Sequence, residues 1–300
     1  MYKAHFGLHE IPFGITPDTS YFFSFNSYQA AFNTLLIAAS NGEGFIKITG
    51  EVGTGKTLLC RMFMKTLDAS FVTAYIPNPA LEPRSLMLAL ADELGSPQER
   101  NTEQHQLVKA INHRLLTLAR DGKRVLLCID EAQALPLETL EALRLLSNLE
   151  TEKRKLLQIV LFGQPELDRK LARNEIRQLT QRISFHYRLR PLSSDEITIY
   201  VSHRLAVAGY AGPALFSRAA LLALRISSGG IPRMLNILAH KSLMLSFGEG
   251  RQSVGARQVL LAARDTLAVS QISVLQNLLK LSGSFLLLTL FGVTAWLLYK

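Results

Sequence analysis

The stretch that most constrains the fold is residues 50–57, GEVGTGKT, which fits the pattern G-x-x-x-x-G-K-[ST]. Glycines let the chain turn tightly and direct backbone N–H groups inward, and a helix that starts at the loop adds its positive dipole end. Such a loop binds phosphate, with Lys56 reaching the β- and γ-phosphates and the Thr57 hydroxyl ligating Mg²⁺. A glycine-rich turn without function also fits the bare pattern, but the apolar segment before it and the helical segment after it favour a nucleotide site. The predicted nucleotide contacts are Gly50, Glu51, Val52, Gly53, Thr54, Gly55, Lys56, Thr57 and Leu58.

A pair of acidic residues follows another apolar segment. Residues 125–129, VLLCI, are typical of a buried parallel strand, and Asp130 and Glu131 come directly after them. Because ligands bind at the carboxyl edge of such sheets, we predict that Asp130 holds Mg²⁺ and that Glu131 activates the attacking water as a general base. Acidic residues at strand ends are common, so the pair alone is weak evidence for a metal site. The phosphate loop upstream is what makes that interpretation strong. Together the two motifs predict that the chain binds and hydrolyses ATP with Mg²⁺.

Strands and helices alternate as far as residue 190. This alternation predicts an α/β fold, a doubly wound parallel sheet with helices on both faces. After Pro191 the pattern is purely helical, and Ser193 with Glu196 predicts a capping box at the first of these helices. We predict a lead-in with the first helix of the core over residues 1–43, a P-loop α/β domain over 44–190 and a helical lid over 191–270. The predicted strands are residues 44–49, 71–76, 125–129, 156–162 and 185–189.

Further polar residues are candidates for contact with the γ-phosphate. Gln164 ends an apolar strand, where it would lie between the γ-phosphate and the water, although a turn residue before proline also explains it. Arg233 opens a helix of the lid, where it would couple the lid to the nucleotide unless it is an ordinary surface arginine. Arg182 precedes the last strand and is the first candidate for an arginine finger that reaches a neighbouring subunit, with Arg177 as its rival. The predicted catalytic set is Lys56, Glu131, Gln164, Arg182 and Arg233.

The end of the sequence predicts a membrane span. Residues 281–299 carry no charge and are bracketed by Lys280 and Lys300. A helix of this length spans about 28 Å, close to the bilayer core of about 30 Å, and Trp296 and Tyr299 suit its interface. A buried helix is the alternative. Basic residues are more numerous upstream of the span, so we expect a single-pass, tail-anchored protein of the bacterial inner membrane with the ATPase domain in the cytoplasm.

Composition narrows the class of protein further. Hydrophobic residues make up 48% of the 300 residues, which excludes a disordered chain. The net charge of +9 indicates an anionic partner or a positive surface near a membrane, since no long basic run is present. Cys60 and Cys128 cannot form a disulfide framework, and we expect both to be buried as small apolar residues.

Several motifs in fixed order carry a resemblance to a known family. GEVGTGKT, VLLCIDEAQ, FGQPEL and GGIPR, with the opening HFGLHEIPFGITPDTSYFF, resemble an AAA+ ATPase of the general secretion pathway protein A (GspA/ExeA) family over about residues 1–270. The resemblance implies an ATPase core with a helical lid, an inner-membrane anchor and a homo-oligomeric ring, expected to be a hexamer. It also implies the usual nucleotide and Mg²⁺ roles for the motif residues, and it places Pro12 and Phe13 near the adenine. The implied sensor residues are Gln164 and Arg233.

One departure from the family pattern bears on the partner. Secretion-type members continue into a periplasmic peptidoglycan-binding domain, whereas this sequence ends at Lys300. We therefore expect the chain to resemble the ATPases of MSHA-type (type IV) pilus biogenesis first, with a type II secretion assembly ATPase as the alternative. The expected partner is an inner-membrane assembly protein of either machine. A DNA-binding AAA+ regulator and a nucleotide-gated scaffold are further alternatives, and the membrane segment makes nucleic acid the less favoured partner.

Overall fold

The structure is a computed structural model that describes residues 2–16, 18–151 and 154–266. The chain divides into two compact units, an α/β unit of residues 17–190 and a helical unit that joins residues 1–16 to the chain after residue 190. The prediction from the sequence differs, because it treated residues 1–43 together as a lead-in with the first helix of the α/β core, whereas residues 1–16 belong to the helical unit. No helix in the described ranges is long and apolar enough to cross a membrane, and the predicted span at 281–299 lies outside them.

Five strands form the sheet of the α/β unit, in the order β2-β3-β4-β1-β5 with every neighbouring pair parallel. The strands β1, β3 and β4 are almost continuously buried, which explains their apolar sequences, because helices cover both faces of a parallel sheet. The edge strand β5 alternates between half-buried and exposed residues. The prediction of a doubly wound parallel sheet is confirmed. The strands are β1 (Phe45–Thr49), β2 (Phe71–Ile76), β3 (Arg124–Ile129), β4 (Leu157–Gly163) and β5 (Ile183–Arg188).

Helices form a layer on each face of this sheet. Over the described ranges the α-helices are α1 (Tyr2–Phe6), α2 (Asn26–Asn41), α3 (Lys56–Thr66), α4 (Pro83–Glu93), α5 (Gln104–Arg120), α6 (Leu137–Leu146), α7 (Pro165–Leu171), α8 (Arg177–Thr180), α9 (Ser194–Val207), α10 (Arg218–Ser228), α11 (Pro232–Gly248) and α12 (Ala256–Arg264). Alternate strand residues point to opposite faces. Phe45, Leu127 and Ile159 belong to the core that α4, α5 and α6 cover, whereas α2 and α3 pack against β1, β4 and β5 on the other face.

The helical unit contains α9 to α12 and the short helix α1. The predicted capping box is present at the start of α9, where the Glu196 backbone N–H donates to Ser193 Oγ at 3.4 Å and the Ser193 N–H donates to Glu196 Oε2 at 2.8 Å. Helix α1 packs against α11, and Tyr2 Oη lies 2.9 Å from His240 Nδ1. Helix α1 is therefore held on α11 by the contact between the Tyr2 and His240 rings and by the polar contact between the same two side chains.

A buried polar network holds residues 12–14 on the helical unit. The Arg204 Nε–H donates to the carbonyl of Pro12 at 2.6 Å, and its Nη1 donates to Tyr200 Oη at 3.0 Å. Asn236 accepts from Tyr200 at 2.9 Å and donates to the carbonyl of Gly14 at 3.1 Å. The carbonyls of Pro12 and Gly14 each receive a side-chain donor, and these hydrogen bonds offset the cost of removing the two carbonyls from water.

Two consecutive glycines between α10 and α11 have different structural demands. Gly229 has φ of +60° and ends α10, and a Cβ there would meet no atom within 4 Å. Gly230 has φ of +77°, and a Cβ there would lie 2.4 Å from the Leu192 carbonyl oxygen. The Leu192 N–H donates to the Gly230 carbonyl at 2.9 Å, so the two backbones are tied together and cannot separate to admit a side chain.

The two glycines make a matched pair for a stability test. Gly229→Ala is expected to cost about 1 kcal/mol, the cost of a left-handed backbone for alanine. Gly230→Ala adds a backbone clash, so we expect it to lower the free energy of unfolding by roughly 2–4 kcal/mol. Urea unfolding of the full chain measures both. Equal losses in the two variants would contradict the close approach at Gly230.

Candidate nucleotide-binding site

The strand order brings the motif-bearing strand ends together. Since β4 lies between β1 and β3, the loop that follows β1, the residue after β4 and the pair after β3 meet at one carboxyl edge. The registers align these ends, with Thr49 of β1 paired to Gly163 of β4 and Ile129 of β3 paired to Leu161. Ligands of open α/β sheets bind at this edge.

The loop over residues 50–57 depends on its glycines. Gly53 and Gly55 have φ of +81° and +94°, in the region that favours glycine. Gly50 is needed for space, because a Cβ there would lie 2.8 Å from Thr54 Oγ1 and 3.0 Å from the Cβ of Leu189. Gly55 is also the N-cap of α3, so the loop runs directly into a helix N-terminus, which suits an anion.

Tyr28 of α2 supports this loop and was not identified from the sequence. Its hydroxyl donates to the Gly55 carbonyl at 3.2 Å, and a Cβ on Gly55 would lie 3.4 Å from its ring. Phe22 packs edge-on against the Tyr28 ring at a centroid distance of 5.1 Å. Phe22 and Tyr28 therefore pack together beneath the loop and support it.

Lys56 lies almost fully buried inside the loop, with 4% of its surface exposed. Its ammonium donates to the Gly50 carbonyl at 2.8 Å and to the Glu51 carbonyl at 3.0 Å. Burial lowers the pKa of Lys56, and the nearby carboxylates of Glu131 and Asp130 oppose that shift. The ammonium is thus held at the loop by two uncharged carbonyl partners, in the position predicted for contact with the phosphates.

Asp130 joins the strand β3 to the helix α3. Its Oδ2 accepts from the Thr57 hydroxyl at 2.5 Å, and its Oδ1 accepts from the Glu131 backbone N–H at 2.9 Å. Burial raises the pKa of Asp130, and the hydrogen bond from Thr57 acts in the opposite direction. The structure therefore brings the two residues predicted to ligate Mg²⁺ into direct contact.

The donor set fits Mg²⁺ bound together with a nucleotide. Within the described residues, no group of three or more His, Cys, Asp or Glu side chains could hold a metal ion by itself. Mg²⁺ is usually held by one or two carboxylates together with substrate phosphates and water. A hydroxyl and a carboxylate side by side at the start of α3 match that requirement.

Glu131 occupies a strained position beside the loop. It has φ of +51°, the one positive value outside glycine in the described residues. Its Oε2 accepts from Gln133 Nε2 at 2.6 Å and from Gln164 Nε2 at 3.0 Å. The structure thus brings Gln164 to the predicted general base, and it adds Gln133, to which the sequence analysis gave no role. The signal for Gln133 was its position in the turn that directly follows the acidic pair.

The arginine candidates have different surroundings. Arg182 is half-buried, and its Nη1 donates to Ser147 Oγ at 2.8 Å just after α6. Arg177, the first residue of α8, is exposed. Arg233 is exposed in the first turn of α11 and belongs to the helical unit, as does the buried Phe13. The roles of these residues at the nucleotide stay predictions.

The two cysteines are fully buried and unoxidised, Cys60 in α3 and Cys128 in β3. A hydrogen bond with Cys128 and burial raise the pKa of the Cys60 thiol. The expectation that both are buried small apolar residues is confirmed.

Comparison with known proteins supports the class that this fold and edge indicate. Residues 39–171 match the AAA domain family. The solved Cdc6p of Pyrobaculum aerophilum superposes with a TM-score of 0.65 at 17% identity, over 83% of this chain and 71% of that one. The Aeropyrum pernix ORC2 protein superposes with a TM-score of 0.62 at 18% identity, over 81% of this chain and 67% of that one. The Thermotoga maritima RuvB Holliday junction branch migration motor superposes with a TM-score of 0.52 at 17% identity, over 79% of this chain and 67% of that one. At such identities the likeness shows the fold alone: a P-loop AAA α/β fold with a parallel sheet.

A nearer relative narrows the class. The chain is 39% identical over 291 residues to the general secretion pathway protein A of Aeromonas hydrophila, an alignment that covers 96% of this chain. The chain spans about half of that relative, 53% of its length. With the AAA domain match, this similarity supports a GspA/ExeA-like AAA ATPase.

Asp130 offers a test that separates stability from binding. Because its pKa is raised in the folded state, its contribution to stability is full below the ordinary aspartate pKa of about 4 and is lost as pH rises through the raised value. We therefore expect Asp130→Asn to be more stable than the wild type at neutral pH, by a difference that grows from pH 4 to 7. The same variant should bind Mg²⁺·ATP at least roughly tenfold more weakly, because it loses the carboxylate charge that is predicted to hold Mg²⁺. A loss of about 1.4 kcal/mol of binding free energy corresponds to a factor of ten.

Urea unfolding across this pH range and titration with a fluorescent ATP analogue measure the two effects. Asp92→Asn, an exposed change on α4, is the matched control and should alter neither. A destabilised Asp130→Asn variant would contradict the argument from burial.

Proposed function

We propose that the chain is a membrane-anchored AAA+ ATPase that binds and hydrolyses ATP with Mg²⁺ to drive assembly of an envelope machine. The observation that carries the hydrolytic part is the cluster at the sheet edge. Lys56 and Thr57 begin the helix that follows β1, and the Thr57–Asp130 hydrogen bond links them to the end of β3. Gln164, directly after the intervening strand β4, contacts Glu131. A scaffold that only binds nucleotide has no need for the last contact.

The residues divide the chemistry between them. The backbone N–H groups of residues 50–57 and the Lys56 ammonium hold the phosphates, and Mg²⁺ bound through Thr57 and Asp130 would neutralise charge that develops on them. Glu131 accepts the proton of the attacking water. Gln164, 3.0 Å from Glu131, orients that water against the γ-phosphate. These steps place the proton on a carboxylate that already lies at the edge where the phosphates bind.

The relative in Aeromonas hydrophila supports an envelope role. Its name refers to general secretion, and the similarity extends over 96% of this chain. A role in type II secretion assembly is therefore one form of the proposal. The lead-in and motifs quoted from the sequence support the narrower form, MSHA-type (type IV) pilus biogenesis, with an inner-membrane assembly protein as the partner.

Oligomerisation follows from the need for an arginine at the transferred phosphate. An arginine finger supplied in trans raises hydrolysis strongly, so a monomer is a poor catalyst. We propose a homo-oligomeric ring, a hexamer, in which Arg182 or Arg177 reaches the nucleotide of a neighbouring subunit. Arg177 is exposed, whereas Arg182 is half-buried beside Ser147, so the two differ in what they contribute to the isolated subunit.

The first functional prediction concerns the dependence of the rate on concentration. For the full chain we expect the ATP hydrolysis rate per subunit to rise at least about tenfold between dilute and concentrated protein, because only assembled subunits receive the finger. Glu131→Gln is the control that keeps the binding loop and should abolish hydrolysis. A rate that does not change with concentration would contradict the trans arrangement, and no hydrolysis at any concentration would contradict the enzyme.

The two arginines are then separated by substitution in the same assay. The true finger, changed to alanine, should lose the concentration-dependent rate at unchanged ATP affinity. Arg182→Ala should also lower the free energy of unfolding by roughly 1 kcal/mol, because it removes a hydrogen bond beside the end of α6. Arg177→Ala should leave stability unchanged.

Anchoring in the bacterial inner membrane is proposed from residues 281–299, with the ATPase domain in the cytoplasm. The uncharged run of 19 residues and its bracketing lysines support this. Each arginine placed at the centre of a membrane helix costs about 2.5–3.5 kcal/mol. The segment is thus sensitive to introduced charge in a way that a surface helix is not.

Flotation of the full chain with liposomes tests the anchor. We expect the chain to stay with the vesicles at high salt, and the double variant Leu288→Arg with Val293→Arg to be released. A matched control places two arginines at exposed leucines, Leu222→Arg with Leu260→Arg, and should remain bound. Release of the unaltered chain by high salt would indicate electrostatic association instead, and equal release of both variants would contradict an anchor at residues 281–299.

A DNA-acting regulator is the alternative function, favoured by the net charge of +9. Phosphate contacts make such binding fall steeply with salt. Salt-dependent binding of the full chain to duplex DNA, with stimulation of hydrolysis, would support this alternative over an envelope partner.

A further inference from the structure

Gln133 links two parts of the candidate site through its side-chain amide. Its Nε2 donates to Glu131 Oε2 at 2.6 Å, and its Oε1 accepts from the Gln164 backbone N–H at 2.9 Å. The amide therefore has a defined orientation, since its two ends face a carboxylate and an N–H group that are not interchangeable.

The turn that carries Gln133 is itself held in place. It is a 3₁₀ turn over Ala132–Ala134, and its N-cap is Glu131 in the left-handed conformation. The Lys170 ammonium of α7 donates at 2.6 Å to the carbonyls of both Gln133 and Leu135. The backbone of Gln133 is thus fixed to α7, the helix that begins directly after Gln164.

The space around the amide is also restricted. A Cβ on Gly163 would lie 3.4 Å from Gln133 Oε1 and 2.7 Å from Leu167 Cδ2. The glycine at this strand end leaves room for the amide to reach the backbone of Gln164. A larger residue there would push the amide or the leucine away.

These contacts determine how the Glu131 carboxylate is presented. Its Oε2 receives both amide donors, whereas none of the described hydrogen bonds involves its Oε1. A carboxylate held through one oxygen leaves the other to accept a proton. We propose that Gln133 is a positioning residue for ATP hydrolysis, which fixes the Glu131 carboxylate so that Oε1 meets the attacking water. This inference rests on the proposed hydrolytic function and names no new substrate.

Loss of the amide should reduce the chemical step and leave binding unchanged. Gln133 touches neither the loop over residues 50–57 nor Asp130 by any of the described hydrogen bonds. For Gln133→Leu we expect the single-turnover rate of ATP hydrolysis to fall roughly 10- to 100-fold, the cost of a misplaced catalytic group. The Kd for ATP should stay within about twofold of the wild type.

A variant of the same size gives a readout that a merely structural role would not move. Gln133→Glu keeps the length of the side chain but replaces the Nε2 donor by a carboxylate oxygen, which repels Glu131 Oε2. We expect its single-turnover rate to fall at least as far as that of Gln133→Leu, with the Kd for ATP within about twofold of the wild type. An unchanged rate in Gln133→Glu would overturn the proposed contact.

A double variant separates action through Glu131 from general damage. If Gln133 acts only by positioning Glu131, Gln133→Leu should cause little further loss in a Glu131→Asp background, where a shorter carboxylate keeps a residual rate but no longer reaches the Gln133 amide. The control is Gln106→Leu, the same change at an exposed site on α5, which should leave the rate unaltered.

The outcomes distinguish this inference from the proposed function. Hydrolysis by the wild type together with an unchanged rate in Gln133→Leu overturns the positioning role alone. Weakened ATP binding or a lowered Tm in both Gln133 variants also overturns it, in favour of a structural role. A wild type that binds ATP without hydrolysis overturns the proposed function and this inference together.

Discussion

The hydrogen bond between Thr57 and Asp130 is the contact on which the candidate site depends. It joins the first turn of α3, the helix that follows β1, to the end of β3. In the sheet, β4 lies between β1 and β3. The phosphate loop and the acidic pair are distant in sequence, and only the strand order makes them neighbours. Because β4 fills the gap between β1 and β3, the residue after β4 enters the same edge, and Gln164 comes to lie against Glu131.

Burial at this edge gives the site its electrostatic character. Lys56 and Asp130 are both nearly inaccessible, and burial lowers the pKa of Lys56 while it raises that of Asp130. Each charge is therefore favoured by its local partners and disfavoured by its surroundings. Mg²⁺ and phosphate carry charges opposite to those of Asp130 and Lys56, so nucleotide binding is expected to offset the cost of burying the two groups. Polar groups placed before the reaction also need no reorganisation during it.

Much of the α/β unit could be predicted from the sequence, because its motifs and apolar strands are local patterns. The glycine loop, the acidic pair and Gln164 all follow apolar strands, and each was located from that context. The strand order was not predictable from local patterns, since it depends on which strands pair. Helices α1, α7 and α8 were missed because four to seven residues are too few to show a helical period.

The residues that sequence reasoning missed share a physical reason. Gln133 and Tyr28 act through backbone groups of other segments, the Gln164 N–H and the Gly55 carbonyl, which no side-chain pattern reveals. Residues 12–14 were likewise grouped with the lead-in to the α/β domain, although Arg204 and Asn236 hold the carbonyls of Pro12 and Gly14 in the helical unit. A single sequence does not show contacts between a side chain and a distant backbone group. The motif residues could therefore be predicted from the sequence, whereas the residues that hold them in place were found only in the structure.

Arg182 shows why a structural contact and a functional role do not exclude each other. Its Nη1 donates to Ser147 Oγ at 2.8 Å and to the Arg144 carbonyl at 3.4 Å, which fixes the side chain beside the end of α6. A guanidinium has five N–H donors in a planar fork, so these bonds leave others for an anion. A guanidinium that is already held by uncharged partners loses less rotamer freedom when it binds a phosphate than a freely moving side chain would. Anchoring of this kind would favour Arg182 as a finger, whereas the exposed Arg177 would have to be ordered by the partner subunit.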